Sequence, residues 1–390
     1  MTQTRVDVIE RVADATPILD FWSQHAPTPL QSPQWLLSWW QAFRSLDTQL
    51  CLLVVRSTNE QVLGLAPCYI RNHWSTGRTI RFLGSGRVCS DFQTLLSAPA
   101  QAIPVATAIG EWLLANQPDL NWSLLELEGV TEDDPAIEAL AAPLRRGHCL
   151  QHVSQLEHTW RLELSQGWAG FLAGLSKTQR SQTRTLVNRF DKSDDLALRL
   201  VTDSSEVPAA LSACIDLHQR RWQAAGQPGC FADPRFFQFI HDASQQLSVQ
   251  QQISIALLED GGMPIAAQLY LQDAAGSMYM YQSGRDPERE AGNIGRMLNA
   301  LAIRAACESG CTFIDFLRGD EIYKPRLGAV ATRCLRVRCV APQLLPRLRH
   351  SLRTLSRSVK HQVDRARENW NRPPQAEQPA PTAECNVSKN

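Results

Sequence analysis

Ser277-Met278-Tyr279-Met280-Tyr281-Gln282-Ser283-Gly284, followed closely by Arg289-Glu290-Ala291-Gly292-Asn293-Ile294-Gly295-Arg296, decides how this chain reads. The first run has the aromatic and apolar composition of a strand, and the second is a glycine-containing turn. The turn opens a helix whose apolar residues recur with helical period from Met297 to Glu308. The first N–H groups of a helix have no intrahelical acceptor, and its dipole favours negative charge there, so such a turn is an anion site. Arg289, Gly292, Asn293, Gly295 and Arg296 are therefore the candidate holders of a phosphate-bearing donor. A second strand, Phe313-Ile314-Asp315-Phe316-Leu317-Arg318-Gly319-Asp320, then delivers polar residues beside the turn, with Tyr323-Lys324 close behind.

The rest of the chain sets bounds on this picture. At 390 residues it is long enough for two domains, since single cores seldom grow beyond roughly 250–300 residues. Lys+Arg 39 balances Asp+Glu 39, so the molecule lacks the charge of a general nucleic-acid binder, and no DNA partner is expected. The 11 cysteines are scattered without CxxC spacing, which suits reduced, buried thiols rather than a disulfide scaffold. No apolar signal segment and no uncharged run of about 18 apolar residues is visible, so a cytoplasmic protein is expected. The nine histidines show no HExxH and no ligand spacing with cysteine, so no metal site is expected.

The chain repeats its plan. Leu50–Val55 and Val62–Ile70 read as a hairpin, and so do Ile253–Leu258 and Ile265–Leu271 around Glu259-Asp260-Gly261-Gly262. Each half then shows a helix leading to a buried strand, Trp122–Leu127 in the first and Thr312–Phe316 in the second, which implies a parallel pairing. Ser32-Pro33 and Asp233-Pro234 each supply a cap and a first-turn proline to an aromatic-rich helix. The expected division is 1–160, 161–342, a basic amphipathic helix over 343–370 and a disordered tail over 371–390. The leucines and arginines of 346–367 suit either packing on the second domain or peripheral contact with the inner membrane surface.

The runs His218-Gln219-Arg220-Arg221-Trp222, Pro264-Ile265-Ala266-Ala267-Gln268-Leu269-Tyr270, Tyr281-Gln282-Ser283-Gly284 and Asp315-Phe316-Leu317-Arg318-Gly319 resemble a bacterial acetyltransferase family of the GNAT superfamily. That family is associated with cellulose and exopolysaccharide biosynthesis and is related to the FemAB-like peptidyltransferases. The resemblance is strongest over about 160–340 and implies an α/β fold of two tandem GNAT-like domains with mixed central sheets. It also implies acetyl-CoA as the acyl donor, gripped by a turn of Gln or Arg, two residues, Gly, one residue, then Gly or Ala. Arg289 and Gly292 match; Ile294 stands at the second small position and Gly295 comes one later. The donor thus stays open between acetyl-CoA and another acyl carrier such as aminoacyl-tRNA. The first half lacks a glycine turn before its helix and is expected to be degenerate, shaping the substrate cleft.

Acyl transfer to an amine or hydroxyl, here on a sugar or polysaccharide precursor, needs a polarised carbonyl and a protonated leaving group. Tyr323 stands where the resemblance implies the acid that protonates the thiolate; the alternative is a structural tyrosine. Asp315 is either a base or a buried carboxylate paired with Arg318 or Lys324. Arg318, Asp320 and Lys324 suit a charged substrate or one another. Gln268, Tyr281, His218, Arg221 and Trp222 are candidates for the acceptor pocket, against ordinary packing. A non-catalytic scaffold in exopolysaccharide synthesis is the remaining alternative.

Overall fold

In the computed structural model, which describes residues 4–351, both expected hairpins and both parallel pairings are present. The first half contributes β1 (Thr4–Ile9), β2 (Thr48–Ser57), β3 (Val62–His73), β4 (Gly77–Phe82), the short β5 (Leu96–Ser97), β6 (Trp122–Thr131) and β7 (Leu150–Glu163). The second contributes β8 (Leu196–Val201), β9 (Ile253–Asp260), β10 (Met263–Gln272), β11 (Met278–Arg285), β12 (Phe313–Arg318) and β13 (Val330–Val340). Gly261 and Gly262, both at positive φ, make the two-residue β9–β10 turn that the sequence announces. Ser32 and Asp233 cap their helices, Pro33–Phe43 and Pro234–Val249, by accepting from backbone N–H groups.

All strands join one mixed sheet in the order β1-β2-β3-β4-β6-β13-β7-β12-β11-β10-β9-β8, with β5 against β3. This order is the same ladder written from both ends. At its centre the last strand of each half has crossed over: β13 pairs with β6 of the first half, and β7 pairs with β12 of the second. The fold is thus the expected tandem α/β arrangement, with its two mixed sheets fused into one.

The β6–β13 seam shows why the exchange is specific. On one face Leu125, Leu127, Val337 and Cys339 join the core beneath the Ala102–Ala115 and Pro135–Arg146 helices. On the other face Glu126 lies opposite Arg338 and Glu128 opposite Arg336, each pair hydrogen-bonded across the strands. Arg81 of β4 also reaches Glu126. Burial pushes the Glu126 carboxyl up, but Arg81 and Arg338 outweigh it and hold the group below its ordinary range.

Three apolar clusters fill the molecule. One lies under the helices just named, and a second packs the Gly167–Gly174, Lys177–Asp191 and Ile294–Glu308 helices on β9–β12. The third belongs to both halves: Trp35 of the Pro33–Phe43 helix meets Phe239 of the Pro234–Val249 helix edge-on at 4.6 Å. Residues 344–351 continue as helix; the remainder of the expected 343–370 helix and the 371–390 tail lie outside the described residues. Among the described residues no helix is long and apolar enough to cross a membrane, and all ten cysteines are unpaired.

Glu126→Gln is expected to cost about 3–5 kcal/mol near neutral pH, because it leaves buried arginines without their counter-charge. Urea unfolding would measure this as one transition. The folded carboxyl titrates below its unfolded value, so the loss relative to wild type should be full above pH 4.5 and shrink as pH falls through the lowered value.

Candidate functional site

The site forms where β11 and β12 part. They pair only at Met278↔Ile314 and Tyr279↔Asp315; beyond that Leu317 takes a left-handed conformation (φ 54°) and β12 turns away. The amides freed by this turn are satisfied by carboxylates. Leu317 N–H donates to Asp315 at 2.9 Å and Arg318 N–H to Asp91 at 2.8 Å. Asp91 comes from the first half, is fully buried, and also accepts from the Arg318 guanidinium at 2.8 and 2.6 Å. A loop of one half therefore holds open the strands of the other.

Into this opening faces a cleft of about 280 Å³. Its floor is β10 and the end of β11, with Gln268, Met280, Ser283, Gly284 and Arg285; its wall is the start of the Ile294–Glu308 helix. Gly284 is required there: a Cβ would stand 2.3 Å from the backbone nitrogen of His218. That approach brings the Val207–Ala224 helix, and with it Arg221, over the cleft. Asn293 starts the helix wall from a left-handed conformation (φ 53°) that asparagine tolerates, so the amides of Ile294, Gly295 and Arg296 begin the helix without intrahelical acceptors. Ile294, the bulky residue at the second small position of the turn, is only 3% exposed and packs in the core. Gly295 lines the cleft wall beside it.

The electrostatics are one-sided. Arg221, Arg285 and Arg296 line the cleft, and among the described residues no Asp or Glu does. Arg296 donates to the neutral amides of Gln179 (3.3 Å) and Gln182 (2.6 Å) on the Lys177–Asp191 helix, which leave its charge uncompensated. Gln268 accepts from the Tyr270 hydroxyl at 2.8 Å and donates to Asn299, one turn beyond Gly295 on the helix wall. Tyr323 lies across the cleft, edge-on to Phe316. Its hydroxyl has no hydrogen-bond partner among the described residues. Burial first, and then Glu321, raise its pKa above the tyrosine range, with Arg221 opposing; the group is protonated at neutral pH.

Six of the residues singled out from the sequence thus meet in one cleft: Gln268, Arg221, Asn293, Gly295, Arg296 and Tyr323. The others stand outside its lining. Arg289 pairs with Asp260 at the β9–β10 turn, and the Gly292 carbonyl accepts from Arg189 at 2.7 Å. Tyr281 points to the opposite face of β11, where its hydroxyl donates to the Val88 carbonyl at 2.9 Å. Asp315 pairs with Arg161 (3.3 Å) rather than with Arg318 or Lys324, and burial pushes its carboxyl up to about 6. Arg318 is held by Asp91. Lys324, 1% exposed, donates to the carbonyls of Leu317, Arg318 and Gly319 and braces the loop after β12. Asp320 accepts from Trp160 and His158 at the surface. His218 is buried 3.5 Å from the Cys230 sulfur, its pKa lowered to about 4 by burial, and Trp222 is half exposed beside Arg221.

Asn299, Arg285 and Asp91 were not foreseen. Asn299 had a signal, since it follows Gly295 by one helical turn. Asp91 had none, being 227 residues from Arg318 in sequence. Among the described residues no group of three or more His, Cys, Asp or Glu could hold a metal ion.

Residues 177–325 match the family model described as "Acetyltransferase (GNAT) domain". No curated protein matches the chain. Among solved structures the chain is similar to FemX, at 11% identity with a TM-score of 0.59 over 88% of this chain and 99% of that one. L-PGS from Bacillus licheniformis follows at 13% identity and a TM-score of 0.54, covering 89% and 98%. A conserved protein of unknown function from Bacteroides thetaiotaomicron VPI-5482 gives 13% and 0.53, covering 86% and 100%. At these identities the structures share the fold. The matched segment contains the whole cleft, and it is a GNAT-type acyltransferase domain.

Asp315→Asn tests the buried carboxylate. With the folded pKa raised, the native state binds more protons than the unfolded chain between pH 3.8 and about 6, so Asp315 costs stability as pH rises through that window. The melting temperature of the variant relative to wild type should therefore be higher at pH 7 than at pH 4.

Proposed function

We propose that the acyltransferase domain takes acetyl-CoA as donor and acetylates an amine or hydroxyl on a sugar or polysaccharide precursor. One observation carries this reading: an open helix N-terminus and Arg296, held only by neutral amides among the described residues, face a cleft opposite a protonated tyrosine with an unpartnered hydroxyl. The fit to a diphosphate-bearing donor is physical. Ile294 is buried in the core, and Gly295 and Arg296 line the cleft at the helix start, where amides without intrahelical acceptors suit phosphate oxygens. Arg296 and Arg285 add charge of the right sign. When bound, the donor supplies the activated acyl thioester. Asn299, fixed by Gln268 and Tyr270, offers its amide to a carbonyl on the helix side of the cleft. Tyr323 gives its proton to the departing sulfur.

A second reading keeps the same site and changes the carrier to aminoacyl-tRNA. Its support is the Lys177–Asp191 helix, which touches Arg296 through Gln179 and Gln182 and exposes Lys177 and Arg184 on its outer side. Filter binding with bulk tRNA, with its salt dependence, separates the two.

Calorimetry with CoA and acetyl-CoA is expected to show binding that Arg296→Glu and Gly295→Asp each weaken at least about tenfold, as like charges meet at the diphosphate. No heat with either ligand would remove the donor assignment. Tyr323→Phe should lower kcat by roughly 10²–10⁴ with little change in donor affinity.

A further inference from the structure

A second cleft, of about 500 Å³, lies between the β3–β4 turn and the 344–351 helix. Its lining is cationic and polar, with Arg78, Arg349, His73, Asn121 and Gln117 and no Asp or Glu. Among the described residues neither arginine has a carboxylate partner; Arg78 reaches only the amide oxygen of Gln49 at 3.4 Å. The turn and the helix that bound it carry apolar side chains that the fold leaves in water. Trp74 is 85% exposed at the tip of the turn, and Leu344, Leu345 and Leu348 are 80%, 56% and 59% exposed on the helix. Leu344 and Leu348 are one helical turn apart, and Leu345 shares the cleft with Trp74.

Isolated apolar residues on a surface are ordinary, but four of them on the turn and helix that flank two arginines without carboxylate partners are a pattern. An amphipathic indole and aliphatic side chains partition into the boundary between headgroups and acyl chains, and arginines beside them meet the phosphates. A protein partner would ask for acidic side chains at the cleft and a flat apolar contact; this surface offers protruding anchors beside a cationic cup. The chain beyond residue 351 carries the same alternation in its sequence, Leu352, Leu355 and Val359 among Arg353, Arg357 and Lys360.

We propose that this face docks on an anionic phospholipid surface, with Trp74, Leu344, Leu345 and Leu348 entering the interface while Arg78 and Arg349 receive headgroup phosphates. Strand directions relate it to the acyl cleft. β4 is parallel to β6, β13 antiparallel, β7 reversed again, and β12 and β11 run opposite to β4. The beginning of β4 and the end of β11 therefore lie at the same end of the strand order.

The test is sedimentation of the full chain with vesicles of phosphatidylcholine alone and with one-third phosphatidylglycerol. Binding is expected to the anionic vesicles only, and to fall with salt. Arg349→Glu removes one favourable charge and adds an unfavourable one, and should weaken it about 25-fold at about fivefold per charge. Trp74→Ala and Leu348→Glu should also release the protein, with melting temperatures unchanged because both side chains are exposed. Absence of wild-type binding, or binding that all three variants retain, would overturn the proposal. Displacement from vesicles by millimolar glycerol phosphate would overturn the lipid surface in favour of a soluble phosphate.

Discussion

The paired charges between β6 and β13 are the constraint on which the architecture depends. Glu126 and Glu128 present a buried or half-buried acidic stripe that only a strand bearing arginines at alternate positions can cover, and Arg336-Val337-Arg338 supplies it. Buried ion pairs of this kind contribute little net stability over apolar packing, but a mismatched strand would leave charges stranded at a cost of several kcal/mol. The pairing therefore acts as a register and partner code. Once β13 is in place, β7 is displaced onto β12, the two sheets become one, and the helices of residues 33–43 and 234–249 are brought face to face.

From that fusion the cleft follows. The loop after β4 is anchored in its own half, where Ser90 accepts from the indole of Trp35, and crosses to the second half, where the Val88 carbonyl accepts from Tyr281 and Asp91 captures Arg318. Arg318 cannot then continue a ladder with β11, and the strands diverge. Carboxylates nearby are engaged elsewhere: Asp260 with Arg289, Asp286 with Arg220, Asp191 with Arg304. Each of these acids neutralises an arginine outside the lining, and Arg296 within it is held by neutral amides.

Much of this was legible in the chain. Elements joined by short turns announce themselves through composition: the Gly261-Gly262 hairpin, the Ser32-Pro33 and Asp233-Pro234 caps, and the glycine turn before residue 294. The residues gathered on that turn and its neighbours, Gln268, Gly295, Arg296 and Tyr323, were found because local sequence fixes their direction. Direction across the sheet was harder to read. Tyr281 and Gln268 sit on adjacent strands, yet Tyr281 is the extra residue of a bulge in β11, opposite Leu269 and Tyr270, and the two point to opposite faces. Asp315 was placed correctly mid-strand but its partner, Arg161, lies on the exchanged β7, which no local pattern reveals. The same holds for Asp91. Contacts that depend on strand exchange are invisible to any window of sequence.

The exchange also sets an order of events in synthesis. Glu126 leaves the ribosome 212 residues before Arg338, its partner across the seam. At about 5–20 residues per second a nascent first half waits roughly 10–40 s with one border of its sheet unpaired. Such a border invites self-association, and inward-facing charges are a known safeguard. The two glutamates that later select their strand thus spend that interval as gatekeepers, keeping the unfinished half from pairing with its neighbours on a polysome.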